Sequence, residues 1–178
     1  MRPVTRDRRK LIGEFAGNIR STVFNGRPNT ELETLVGELG GQIRSLPTDN
    51  TMAFERVVKA EDGSFIIYLD DTCPPTRRLF SIAHELGHLF LHMRYGDAQW
   101  EAIPVGAGYE RAPNVFTPVE TDANVFASAF LMPEEDFRAA AEKHFDGTRF
   151  YNAVEVAKHF GVSVQAAAIR GKDLGIWR

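Results

Sequence analysis

The segment from Thr76 to Met93 constrains the fold of this chain more than any other. Its apolar residues recur at helical spacing on nearly every side of one predicted helix, which indicates that most of the helix is buried. The same segment contains His84, His88 and His92. Buried polar side chains are unfavourable unless they find partners. The fold must therefore bury this helix and also supply partners for its histidines.

The first two histidines belong to the sequence His84-Glu85-Leu86-Gly87-His88, which is an H-E-x-x-H motif. Residues four apart lie on one helical face, so both imidazoles can bind the same Zn²⁺ ion. Glu85 follows the first histidine directly, where its carboxylate can take a proton from water held at the metal. We therefore predict a zinc site with His84 and His88 as ligands and Glu85 as the catalytic base.

A third ligand has to come from another element. His92 is poorly placed, because on a straight helix it lies about 80° around the axis and some 12 Å along it from His84. We predict Glu120, on a helix that begins with Thr117 as N-cap and ends near residue 131. Asn124 lies one turn further on the same face, where it can accept the ring N–H of a ligating histidine and fix its tautomer.

Two alternatives to this assignment follow from the same helix. Asp122 is an alternative ligand, although its side chain is shorter and lies about 200° around the helix from Glu120. Glu120 also fits a capping box with Thr117, in which its carboxylate would bond to the backbone at the start of the helix.

Peptide hydrolysis also needs a donor that stabilises the oxyanion. The sequence offers His92, Tyr95 and Tyr109 near the motif. Each is a candidate for this role or for supporting a ligand.

The remaining patterns predict an α+β fold in which a small sheet backs the metal-binding helix. Strand-like residues on both sides of a turn at 61–64 predict a β-hairpin from Met52 to Leu69. We expect its strand Ser64 to Leu69 to lie at or near the edge of the cleft, because an extended peptide substrate is often held by pairing with a sheet edge. Residues 94–118 have no period and predict a long loop.

Composition excludes several classes of protein. The 178 residues carry a formal net charge of −3, which does not favour binding to nucleic acid. The single cysteine, Cys73, excludes an intramolecular disulfide and fits a reducing compartment. No apolar run approaches the roughly 18 residues of a membrane span. We expect a cytoplasmic protein that binds neither membrane nor DNA directly.

These motifs together resemble the ImmA/IrrE family of zinc metallopeptidases. The resemblance spans roughly residues 63–175 and rests on three segments. They are His84-Glu85-Leu86-Gly87-His88, then Glu120 with Ala123-Asn124 and Phe126-Ala127, then Leu131-Met132-Pro133. It implies a compact zincin in which His84, His88 and Glu120 bind Zn²⁺ and Glu85 is the base. Members of this family are intracellular and cleave a helix-turn-helix repressor, often one encoded nearby in phage, mobile-element or stress-response loci.

On this basis we expect one domain with three parts. Residues 1–50 would form an N-terminal helical segment packed on the core, and residues 51–149 the zincin-like metallopeptidase core. Residues 150–178 would form a C-terminal helical cap. The cap has the small-residue, Gly and Ser pattern of a helix-turn-helix, but its net charge of only +2 makes it a weak DNA reader. Another alternative is a module that binds the repressor or senses metal without cutting.

Overall fold

The computed structural model describes residues 5–47, 54–110, 117–145, 147 and 151–177. Within these residues it contains seven α-helices and one four-stranded sheet, which confirms the predicted α+β class with helical termini. The helices are α1 Arg6–Ile19, α2 Leu32–Glu38, α3 Pro75–Leu91, α4 Pro118–Leu131, α5 Glu134–Lys143, α6 Ala153–Phe160 and α7 Val164–Asp173. The strands are β1 Gln42–Ser45, β2 Arg56–Lys59, β3 Phe65–Leu69 and β4 Gly108–Glu110.

The sheet has the strand order β1-β3-β2-β4. β3 pairs in parallel with β1 and antiparallel with β2, and β2 pairs antiparallel with β4. The hairpin is confirmed from Arg56 to Leu69, while residues 52–53 lie outside the described residues. β3 is an interior strand of the described sheet, so the expectation that an extended peptide could pair with it is wrong. Its almost continuous apolar sequence suits an interior strand, and the edges are β1 and β4.

Helix α3 occupies the centre of the fold. Its residues from Ser81 through Phe90 are all buried, because the sheet covers one side of the helix and α4 the other. The two helices approach closely at Gly87, where an added Cβ would lie 3.1 Å from the Cα atom of Ala123. This close packing fixes the position of α4 relative to the H-E-x-x-H motif.

Helix α4 starts where the sequence predicts. The Thr117 hydroxyl accepts a hydrogen bond of 3.1 Å from the backbone N–H of Glu120, and Pro118 occupies the first turn. α1 packs along α4 and begins at Arg6, so the basic N-terminal residues that the structure describes are helical.

The segment after α3 is more ordered than the predicted loop. It contains a 3₁₀ turn at Ala98–Ala102 and the strand β4. Trp100 is buried, and its indole N–H donates to the carbonyl of Gly63. The ammonium of Lys59 donates to the Trp100 carbonyl at 2.8 Å. The segment up to residue 110 is therefore packed on the sheet, while residues 111–116 lie outside the described residues.

Helices α6 and α7 pack against the helical layer. The ring of Phe160 stacks on Phe137 of α5, with centroids 5.8 Å apart. The buried Arg170 of α7 donates a hydrogen bond from Nε to the carbonyl of Met132. Within the residues described, no helix combines the length and the apolar character needed to cross a membrane.

Candidate metal centre

The two motif histidines share one buried face of α3. His84 and His88 are fully buried, and their Nε2 atoms are 3.0 Å apart. The separation of four residues places the two rings one turn apart, as the motif predicts. Both nitrogens therefore point at one region of space between α3 and α4.

Glu120 completes a group of three possible ligands. Its Oε2 atom lies 3.2 Å from Nε2 of His84, and its Oε1 atom lies 3.2 Å from Nε2 of His88. The backbone N–H of Glu120 bonds to Thr117, but its carboxylate faces the histidines. The side chain thus contributes to the group between the helices rather than to a reciprocal capping box.

The geometry of this group fits a zinc ion. In a tetrahedral site with bonds of about 2.0–2.1 Å, two ligand atoms are roughly 3.3 Å apart. The three contacts observed here measure 3.0 to 3.2 Å. Two imidazoles and one carboxylate are also a donor set that catalytic zinc sites use, with a further position left for water or substrate. His84, His88 and Glu120 can therefore hold a metal ion.

The charge on Glu120 favours a cation at this position. Burial would raise the pKa of its carboxyl, but hydrogen bonds from His84 and His88 lower the pKa to about 2. Glu120 is therefore ionised at neutral pH and supplies a negative charge to the group.

Asn124 lies where the sequence predicts. Nδ1–H of His84 donates a hydrogen bond of 3.0 Å to Oδ1 of Asn124. A neutral imidazole carries one ring proton, and with that proton on Nδ1 a metal ion at Nε2 would replace the proton that His84 shares with Glu120.

Asp122, the alternative ligand, lies outside the group. Its carboxylate is 1% exposed and accepts hydrogen bonds from Arg8 of α1, including one of 3.0 Å from Nε. Asp122 differs from Glu120 because its position on α4 directs its side chain at α1 and not at α3. The sequence does not predict this contact of Arg8, whose only local signal is its place in a basic N-terminal run.

The three candidate donors have different surroundings. Nε2 of His92 lies 3.3 Å from the carbonyl of Val119, immediately before Glu120, and burial lowers the pKa of this imidazole. The Tyr95 hydroxyl donates to the carbonyl of Leu39, and its ring packs in the core. The Tyr109 ring stacks on His88. His92 and Tyr95 thus contact backbone carbonyls, while both His92 and Tyr109 are in ring contact with His88, at an angle for His92 and face to face for Tyr109.

Glu85 follows His84 in α3 and is fully buried. A carboxylate in this position belongs to the same helical turn as the two histidines. The helix therefore places Glu85 next to His84 in the buried part of α3, and Glu85 is not a member of the metal-binding group.

Comparison with known proteins matches the part of the chain that contains this metal-binding group. The sequence profile of the Peptidase M78 family, described as the IrrE N-terminal-like domain, matches residues 37–172. A solved structure of a transcriptional regulator from Mycobacterium tuberculosis is similar in fold, with a TM-score of 0.57 and 19% identity. The similarity covers 92% of this chain and 48% of the other, so this chain spans about half the length of that protein. No curated protein sequence matches the chain.

Proposed function

Since the chain belongs to the Peptidase M78 family, we propose that it is a zinc-dependent endopeptidase that cleaves a regulator of transcription. The observation that carries this proposal is the buried group of His84, His88 and Glu120, with Glu85 in the same turn of α3. Family membership supports a metallopeptidase, and the donor set favours zinc.

His84, His88 and Glu120 would hold the metal. Bound Zn²⁺ would lower the pKa of a water molecule and polarise the scissile carbonyl. Asn124 keeps the ring proton of His84 on Nδ1, which leaves Nε2 for binding. Glu85 accepts a proton from the attacking water and passes it to the leaving amine, which is the role of a general base and then a general acid.

We propose that the substrate peptide lies along β4. This strand is an edge of the described sheet, so one row of its backbone groups can pair with an extended peptide. Tyr109 of β4 is in ring contact with His88, which puts this edge next to the metal-binding group. In this proposal the substrate peptide pairs with β4, and not with the strand Ser64 to Leu69 as the sequence predicts.

A helix-turn-helix repressor is the substrate we propose within the class of transcriptional regulators. The ImmA/IrrE resemblance implies it, and the structural neighbour is itself a transcriptional regulator. Cleavage would relieve repression of a phage, mobile-element or stress-response operon. Such a substrate requires the enzyme to act in the cytoplasm.

The direct test uses as substrate a candidate helix-turn-helix repressor, sought among the genes next to the one that encodes this chain. The protein is stripped of metal with a chelator, reloaded with one equivalent of zinc, and incubated with that repressor. Intact-mass spectrometry should show two complementary fragments with the reloaded protein and none with the stripped protein. His88→Gln should be inactive, and the surface variant His159→Ala should cleave normally. If the zinc-loaded protein binds the repressor and leaves it intact, the chain is a binding or metal-sensing module without proteolysis.

A further inference from the structure

The two motif histidines are held by different interactions. His84 bonds through Nδ1 to Asn124. Nδ1 of His88 is buried and has no hydrogen-bond partner among the residues that the structure describes. Histidines that bind metals usually donate this second ring N–H to a carboxylate or carbonyl, which fixes the ring plane. His88 needs a different contact to fix its orientation.

Tyr109 provides such a contact. Its ring centroid lies 5.1 Å from that of His88, and the two ring planes differ by only 7°. This distance is within the range of stacked aromatic pairs. His92 contacts both rings at an angle, with centroids 5.4 Å from His88 and 5.3 Å from Tyr109. The imidazole of His88 is thus packed against two other rings.

The sheet fixes the position of Tyr109. It pairs with the fully buried Val57 in the register between β4 and β2. At the preceding residue, Gly108, an added Cβ would lie 1.9 Å from the carbonyl oxygen of Val57. Only glycine permits this approach, so β4 is held tightly on β2 and carries the Tyr109 ring to a defined place.

We propose that Tyr109 is a positioning residue for the metal centre, one that orients His88 by stacking on its imidazole. This inference rests on the proposed role of His88 as a zinc ligand. It assigns the function to the face of the ring and not to the hydroxyl. Stacking holds the His88 ring in the plane that directs Nε2 at the metal. The ring therefore loses less rotational freedom when zinc binds.

The first test compares zinc dissociation constants of variants at one position. By competition with a chelating dye, Tyr109→Leu should bind zinc about 3- to 10-fold more weakly, the range expected from loss of one stacked pair. Tyr109→Phe keeps the ring and should bind as the unmodified protein does. Glu110→Ala removes the exposed neighbour that pairs with Arg56 and controls for disturbance of β4, so its affinity should not change.

A second readout reports ring geometry directly. In NMR spectra of the zinc-loaded protein, the ring current of Tyr109 should shift the imidazole proton signals of His88. The shift should persist in Tyr109→Phe and vanish in Tyr109→Leu. Circular dichroism melting of the metal-free variants shows whether each one folds.

The outcomes separate this inference from the proposed function. Unchanged zinc affinity in a folded Tyr109→Leu, or equal weakening in Tyr109→Phe, would overturn the positioning role. If Tyr109→Leu keeps its zinc affinity while His88→Gln loses zinc binding in the same assay, the metal centre stands and only the role of Tyr109 fails. Absence of zinc binding in the unmodified protein would overturn both.

Discussion

The ring Nδ1–H of His84 donates to the side-chain oxygen of Asn124 at 3.0 Å, and this bond links the metal-binding helix to the helix that carries Glu120. Asn124→Ala should weaken zinc binding about 10- to 100-fold, because the ring is then free to rotate and to place its proton on Nε2. Competition with a chelating dye measures the change. Asn18→Ala, on the exposed side of α1, is the control and should have no effect. An Asn124→Ala affinity within twofold of the unmodified protein would contradict this role.

The close approach of α3 and α4 predicts that zinc affinity also depends on the glycine at position 87. A Cβ on Gly87 would lie 3.1 Å from two backbone atoms of Ala123, so α4 has to move outward in Gly87→Ala. We expect zinc affinity to fall at least about tenfold, because Glu120 moves with α4. The free energy of unfolding should fall by about 0–2 kcal/mol, since the gain of about 1 kcal/mol in helix propensity offsets only part of an overpacking cost of about 1–3 kcal/mol.

Gly17→Ala is the matched control for this prediction. An added Cβ at Gly17 of α1 meets no atom within 4 Å. The substitution should stabilise the protein by about 0.5–1 kcal/mol and leave zinc affinity unchanged. Equal zinc affinity for the two variants would mean that α4 accommodates the extra methyl group without displacing Glu120.

Several of these features follow from local sequence signals. The H-E-x-x-H spacing predicts the two histidines on one face, and Thr117 with Pro118 predicts the start of α4, as the structure confirms. That start places Glu120 at the third position of α4, on the same face as Asn124 one turn later. Short-range patterns thus suffice where one element decides the geometry.

Other features depend on contacts between distant segments. β1 and β4 are four and three residues long, too short for an alternation signal, and they form because β3 and β2 offer them partners. The bond from Arg8 to Asp122 joins residues 114 apart in sequence. No local pattern predicts that pair or the stacking of Tyr109 on His88. Tertiary packing alone determines them.

The Arg8–Asp122 pair makes a prediction about stability. Asp122 is almost fully buried, while the Arg8 side chain is 56% exposed. Arg8→Ala leaves a buried carboxylate without this partner and should lower the free energy of unfolding by about 1–3 kcal/mol. Arg9, on the same helix as Arg8, forms an exposed pair with Asp173 of α7. Arg9→Ala should change the free energy of unfolding by about 0–1 kcal/mol. Urea denaturation measures both, and equal effects would contradict the importance of the buried pair.

Glu120 should keep its negative charge when the protein is moderately acidified. Burial raises the pKa of Glu120, but the hydrogen bonds from His84 and His88 bring it to about 2. A carboxyl with a lowered pKa stays ionised as the pH falls, here to roughly pH 3. Glu120 should therefore take up no proton at pH 5–6 when the metal is released.

The measurement is the slope of log Kd for zinc against pH. Glu120→Gln should raise Kd at every pH and leave the slope between pH 5 and 6 unchanged, because the ionised Glu120 carboxylate contributes no proton there. A slope that falls by one proton per zinc ion in Glu120→Gln would show that the carboxylate also titrates in this range.

The central claim is that Glu85 performs the proton transfers of a zinc endopeptidase. Glu85→Gln keeps the size and hydrogen bonding of the side chain but cannot accept a proton. The direct measurement is the rate of repressor cleavage by the unmodified protein and by Glu85→Gln, each loaded with one zinc ion per chain. Cleavage should fall at least about 100-fold in the variant, while zinc content and repressor binding stay the same. Cleavage by Glu85→Gln at the unmodified rate would contradict the mechanism.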